Sequence, residues 1–310
     1  MRKHIAALLA LGLVGAVLAV GYLWAGPSTS ARERPEAGDD RPVYLPGEAR
    51  GAAEEEPEQA EPAEREPARV LFIGDSLAME MQDELGRRVG ELDRTTYLSA
   101  PYSGTTLCDY LEGRDVESLV PAKDKAAALV RSFRPTVVVL QFWGNSWGYT
   151  PCMDRIGSGT PEYYARYTAD AERITEQIRG AAEENGTAAP RLVWVLQGPD
   201  AMAPDRVRRV NAVYEELAPR TDALLSDAGA AVSRPGARYT WTRTLPCTQE
   251  ERDTPGYCED GRTPLHREDD LLHFCLAPTT SDPKPCPRPS PGIDRYTAAI
   301  TTTVRDHLGG

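Results

Sequence analysis

The chain has 310 residues, 41% of them hydrophobic, with 26 Pro, 26 Gly and a net charge of −12. That length admits one large domain with appendages or two small ones, and the acidic balance argues against a nucleic-acid partner, which would need a basic footprint. The charge is unevenly spread: residues 27–67 hold twelve acidic and five basic side chains, more than half of the net total.

The first segment, MRKHIAALLALGLVGAVLAVGYLWAG, places Arg2 and Lys3 before an uncharged apolar run from Ile5 to Ala25. A helix of that length, at about 1.5 Å per residue, covers a bilayer core of roughly 30 Å. The run is longer than an h-region of about 7–15 residues, and AGPSTSA is a poor cleavage site, which favours a retained signal anchor at 1–26 over a cleaved signal peptide. In either case the leading positive charges keep the amino terminus inside and leave the rest extracytoplasmic. Residues 27–67, which include GAAEEEPEQAEPAEREP, have no apolar periodicity and read as a disordered, self-repelling tether. The folded domain is therefore expected over 68–310.

Within it, short apolar runs alternate with longer amphipathic ones. RVLFIG (69–74), TTYLSA (95–100), TVVVLQF (136–142) and RLVWVLQ (191–197) read as strands, with a fifth at AAVS (230–233) or RYTWT (238–242). Helices are predicted over 78–90, 117–134, 161–185 and 205–228, with a final one in GIDRYTAAITTTVRDHL after a loop-rich region, 244–291. Uninterrupted apolar strands alternating with helices indicate a parallel sheet covered on both faces. Ligands bind such sheets beyond the carboxyl ends of the strands, so residues just after strands are the first candidates for a site.

Six cysteines, Cys108, Cys152, Cys247, Cys258, Cys275 and Cys286, suit disulfides in an extracytoplasmic domain, and fifteen pairings are open. Local spacing favours Cys247 with Cys258 and Cys275 with Cys286, leaving Cys108 with Cys152. The sequence contains no Cys-x-x-Cys of the kind that marks a zinc ribbon or a thioredoxin-like site.

Ser76 follows the first strand in RVLFIGDSLAMEM. Either Asp75 or Ser76 can cap the helix that begins there, or Ser76 can be a nucleophile, which requires a base, a residue to orient the base and donors for an oxyanion. The domain offers three histidines as base: His266, His273 and His307. His307 reads as a solvated residue at the end of the last helix. In EDDLLHFC, Asp270 precedes His273 by three residues, a spacing that can set a carboxylate against Nδ1 and leave Nε2 to take a proton; the alternative is a solvated acidic loop. His266, Asp269, Asp270 and His273 could also suggest a metal site, but no helical spacing or completing ligand supports it, so no metal and no cofactor is expected.

Asn145, in LQFWGNSWGY after the most apolar strand, can offer an amide donor to an oxyanion or simply form a turn. Gly104, in APYSGTTL after the second strand, would let a backbone N–H approach a ligand closely. Trp143, Trp147 and Tyr149 beside Asn145 either line a pocket or pack into the core.

Taken in order, GDSL at 74–77, Gly104, Asn145 and the Asp270-x-x-His273 pair resemble the blocks of the SGNH hydrolases, also called GDSL esterases and lipases, over about Arg69 to Leu308. The resemblance implies a flavodoxin-like three-layer α/β/α sandwich with a mainly parallel, roughly five-stranded sheet. It implies Ser76 as nucleophile, His273 as base and Asp270 as its orienting carboxylate. The oxyanion donors would be the N–H groups of Ser76 and Gly104 and the side chain of Asn145. This chain departs from the family in two places: Trp143-Gly144-Asn145-Ser146 stands where Gly-x-Asn-Asp is usual, and FCLAPTTSDPKPCPRPSPG separates His273 from the last helix.

The expected activity is acyl-enzyme chemistry on an acylated envelope carbohydrate or related small ester, with the membrane as partner through the amino-terminal helix. An O-acyltransferase supplied by a separate membrane acyl donor and a catalytically silent binding module are the alternatives. The complete set of Ser76, Asp270 and His273 speaks against the silent module.

Overall fold

The computed structural model describes residues 66–114, 118–145, 150–278, 285–288 and 290–309. The predicted anchor and nearly all of the tether lie outside these, as do Trp147 and Tyr149. Among the described residues no helix is long and apolar enough to cross a membrane.

Five parallel strands form the sheet: β1 (Ala68–Gly74), β2 (Thr95–Ser99), β3 (Val137–Gln141), β4 (Arg191–Val195) and β5 (Leu224–Ser226), in the order β2-β1-β3-β4-β5. This is the flavodoxin-like strand order, whose direction of growth reverses at β1 and β3 and opens a crevice at their carboxyl ends. The helices are α1 (Ser76–Gly90), α2 (Ala126–Phe133), α3 (Pro161–Glu184), α4 (Pro204–Arg220), α5 (Ala228–Ala231), α6 (Gln249–Asp253) and α7 (Pro291–Gly309). A separate antiparallel ribbon pairs β6 (Thr244–Pro246) with β7 (Arg262–Pro264).

Side chains alternate between the two faces of each strand, so the apolar runs feed two cores. Leu71, Ile73, Val138, Leu140, Leu192 and Trp194 pack against α2, α3 and α4 through Leu129, Val130, Tyr167, Ile174 and Tyr214. Val70, Phe72, Val137, Val139, Val193 and Val195 pack against α1 and α7 through Leu77, Met81, Leu85, Tyr296 and Ile300. The result is the expected three-layer sandwich.

The fifth strand lies elsewhere than expected. Neither 230–233 nor 238–242 is a strand of the sheet; β5 is Leu224–Ser226, inside the predicted helix 205–228. The helical pattern is cut at Arg220, just after Pro219, and Asp222 takes the left-handed conformation at φ 45°, which starts the chain on a new course. Likewise α2 begins only at Ala126, because Pro121 and a 3₁₀ turn at Ala122–Asp124 occupy the front of the predicted helix 117–134.

The two disulfides favoured by spacing, Cys247–Cys258 and Cys275–Cys286, are present, and so is the pair they leave, Cys108–Cys152. Cys108–Cys152 ties the segment after β2 to the segment after β3, and Cys275–Cys286 closes the chain immediately after His273.

Candidate active site

The turn after β1 is built around Gly74. A Cβ at this position would lie 2.2 Å from the carbonyl oxygen of Gln141 on β3 and 2.5 Å from the Cβ of Ala78, so only glycine lets β1, β3 and α1 meet here. Asp75 is the N-cap of α1: its Oδ1 accepts the N–H of Leu77 at 3.1 Å, while Oδ2 accepts the N–H of Trp143 at 2.6 Å. Ser76 is thus released from capping. It stands half-buried at the first helical position, where the positive end of the helix favours a developing anion.

The segments after β2 and β3 are fastened to this turn. Tyr102 donates its N–H to the Gly74 carbonyl at 3.0 Å, and the Tyr110 hydroxyl donates to the same oxygen at 2.8 Å. Asn145, buried, donates from Nδ2 to the Thr105 carbonyl at 2.9 Å and lies 3.5 Å from Asp75 Oδ2. Gly104 sits between these anchors with φ 77°, a conformation that a side chain would strain. The structure therefore brings Ser76, Gly104 and Asn145 to one end of the sheet, beyond β1, β2 and β3.

His273 arrives from the loop after β7. The Asp270 carboxylate folds back on the chain, with Oδ1 accepting the N–H groups of Leu272 at 3.1 Å and His273 at 3.0 Å, and Oδ2 3.0 Å from His273 Nδ1. That contact fixes the tautomer with Nδ1–H toward Asp270 and leaves Nε2 as the basic nitrogen. His266 is not held for a metal: its Nδ1 lies 2.9 Å from the His273 carbonyl, and its ring packs between Trp241 and Phe274. His307 lies on the last turn of α7, half-buried, where burial lowers its pKa.

What ties the chain bearing His273 to the helix that opens with Ser76 is a residue that gave little sign of itself in the sequence. Glu80, one turn along α1 from Ser76 and 5% exposed, accepts the N–H of Phe274 at 3.0 Å and of Cys275 at 2.9 Å. Positions four apart on a helix share a face, with Cβ atoms about 5–6 Å apart, so the chain just after His273 is fastened to the face of α1 that begins with Ser76. The available signal was a carboxylate set in the apolar stripe of Leu77, Ala78, Met81 and Leu85, where a solvated glutamate has no place.

Three carboxylates surround one imidazole. Burial by itself would lower the pKa of His273, but the hydrogen bond to Asp270 and the charges of Glu80, Asp270 and Asp75 overcome it and raise the group to about 9. Burial also opposes ionisation of Asp270, yet the hydrogen bond and charge of His273 hold it well below the usual carboxylate range. In Glu80 burial wins, against the His273 charge and two backbone donors, and raises it to about 7. Burial raises Asp75 to about 6 in the same way.

Trp143 is not a pocket aromatic. It is 2% exposed, and the Arg206 guanidinium, paired with Asp200 at 2.8 Å, stacks 3.5 Å from its ring centroid.

The chain matches no protein-family model and no curated protein. Solved structures with a similar course of chain include a protein of Desulfitobacterium hafniense described as lipolytic and of the G-D-S-L family, 11% identical with a TM-score of 0.45, over 76% of this chain and 99% of that one. A GDSL-like lipase from Bacteroides thetaiotaomicron is 16% identical with a TM-score of 0.41, over 78% and 90%. An acetylxylan esterase from Geobacillus stearothermophilus, solved as a catalytic mutant, is 14% identical with a TM-score of 0.43, over 77% and 94%. These are distant likenesses, and the functional reading rests on this chain's own residues.

Proposed function

We propose that this protein is an extracytoplasmic serine ester hydrolase of the SGNH type, with Ser76, His273 and Asp270 as its catalytic residues. The observation that carries the reading is the Asp270–His273 pair, held by Glu80 over the helix that opens with Ser76. His273 Nε2 takes the Ser76 proton as Oγ attacks the ester carbonyl, and Asp270 keeps the imidazole in the useful tautomer. The oxyanion meets the N–H groups of Ser76 and Gly104 and the Asn145 amide. His273 then returns its proton to the leaving alcohol, and water, deprotonated by the same imidazole, releases the acid.

The three disulfides support an oxidising compartment. An acylated envelope carbohydrate as substrate follows from that compartment, the predicted anchor and the family resemblance; the buried Trp143 lends it no support. Fluorophosphonate labelling of the oxidised protein tests the chemistry: wild type is labelled and Ser76→Ala is not, and the absence of labelling in both, together with no ester cleavage, would end the enzyme reading. Free acetate released from an acetylated wall polymer, against acetyl appearing on an added glycan, separates hydrolysis from transfer.

A further inference from the structure

We infer that Glu80 is a positioning residue for this reaction, holding His273 over Ser76 through the backbone and stabilising the imidazolium of the transition state through its charge. The inference rests on the acyl-transfer reading for its catalytic meaning, but its physical content, a link between Glu80 and His273, does not.

Glu80 is anchored in a way that leaves its geometry no slack. Its side chain is 5% exposed, on a helix whose Leu77 and Met81 share a core cluster with Phe274, and its two oxygens meet the N–H groups of Phe274 and Cys275. Its own carbonyl accepts the N–H of Cys286, so the residue grips both halves of the Cys275–Cys286 bridge. The chain bearing His273 is fixed at further points, among them Asp270 on its N–H, His266 on its carbonyl, and Trp241 Nε1–H donating to the Leu271 carbonyl at 3.0 Å. Of these, Glu80 alone fastens the loop to the helix that carries Ser76.

A buried carboxylate is costly unless something repays its desolvation. A neutral acceptor could have held one N–H, whereas a carboxylate can take both and also face a cation. The charged groups that interact with Glu80 are His273, Asp270 and Arg267; those that interact with His273 are Asp270, Glu80, Asp75 and His266. As the proton passes from Ser76 to His273 Nε2, the imidazolium gains the attraction of Glu80, which the ground state lacks.

Glu80→Gln keeps the shape and one acceptor and removes the charge. Imidazole NMR titration of His273, one of four histidines in the chain, should show its midpoint fall by about one pH unit or more. The acid limb of kcat/KM for 4-nitrophenyl acetate should move down with it, while the kcat plateau falls about tenfold and KM changes little. If Glu80→Gln does not fold, the reciprocal variant His273→Gln serves: the Glu80 carboxyl, followed by carbon-13 NMR, should titrate at higher pH than in wild type. A His273 midpoint unmoved by Glu80→Gln, or a Glu80 midpoint unmoved by His273→Gln, overturns the inference whatever the activity. Shifted midpoints in a protein that cleaves no ester would leave the Glu80–His273 link standing and remove the acyl-transfer reading.

Discussion

Trp143 donates its N–H to Asp75 at 2.6 Å, and this bond joins the turn that presents Ser76 to the turn that presents Asn145. One carboxylate therefore caps α1 and sets the spacing between Ser76, the proposed nucleophile, and Asn145, the proposed amide donor. The cap, one of the two readings open for Ser76 in the sequence, falls to Asp75 and leaves Ser76 free for the proposed role of nucleophile.

It follows that Ser76→Ala should leave stability within about 0.5 kcal/mol of wild type in urea unfolding while abolishing fluorophosphonate labelling. Asp75→Ala should cost about 2–4 kcal/mol, because it removes a cap and strands the buried N–H of Trp143. Equal destabilisation by the two variants would contradict this division of roles.

The base in the free enzyme must be neutral to act, and His273 is raised to about 9. The value of kcat/KM for an ester should therefore climb from neutral pH and level off only above about pH 9. Asp270→Asn removes the hydrogen bond and charge that favour the imidazolium, so it should shift that limb to lower pH and reduce the plateau by about 10⁴-fold, as for a triad with its tautomer released. A flat profile between pH 6 and 9 would remove His273 from the role of base.

The same groups predict an unusual pH dependence of stability. Asp75, Glu80 and His273 all bind a proton more tightly in the fold than in the unfolded chain, moving from 3.8 to about 6, 4.5 to about 7 and 6.5 to about 9. Their contribution is full below the unfolded values and is lost as pH rises through the folded ones. Asp270 acts in the opposite sense, its contribution being lost as pH falls below the usual carboxylate range. The Tm should peak near pH 5 and fall by several degrees by pH 9, as calorimetry would show. A Tm that rises across that interval would mean these groups are not in the environments described.

Much of this site was legible because each element reports on itself. The three buried strands β1, β3 and β4 showed as apolar runs, and Asp270-x-x-His273 is a contact within one turn of chain. The cysteine pairs 247–258 and 275–286 close short loops. What stayed hidden depends on elements distant in sequence: Glu80 meets Phe274 across 194 positions, and nothing near either residue announces it. Trp143 stayed open between pocket and core because a tryptophan beside the candidate oxyanion asparagine reads the same whether it faces solvent or Arg206. β5 was missed because its three residues, two of them leucine, prolong the helical pattern of α4 in sequence, although the chain has already turned at Asp222.

Asn145→Ala should lower kcat by about 10²–10³-fold with little change in KM, the signature of a donor whose contact strengthens in the transition state. Because Asn145 also donates to the Thr105 carbonyl, some stability should be lost too, about 1–3 kcal/mol. A variant with kcat intact and KM raised would make Asn145 a substrate-binding residue instead.

Two of the disulfides form a natural control for each other. Cys247–Cys258 and Cys275–Cys286 have the same sequence separation, 11, so replacing either pair by serine should release similar loop entropy and cost about 2–4 kcal/mol. Their neighbours differ. Cys275 donates its N–H to the Glu80 carboxylate and Cys286 to the Glu80 carbonyl, whereas Cys247 pairs with the Gly261 carbonyl at the β6–β7 ribbon. Opening Cys275–Cys286 should therefore loosen the chain behind His273 and reduce kcat at least tenfold at a temperature where the protein remains folded. Opening Cys247–Cys258 should leave kcat within about twofold of wild type. If both double variants lose activity in proportion to stability alone, the Cys275–Cys286 bridge serves the fold and not the alignment of His273.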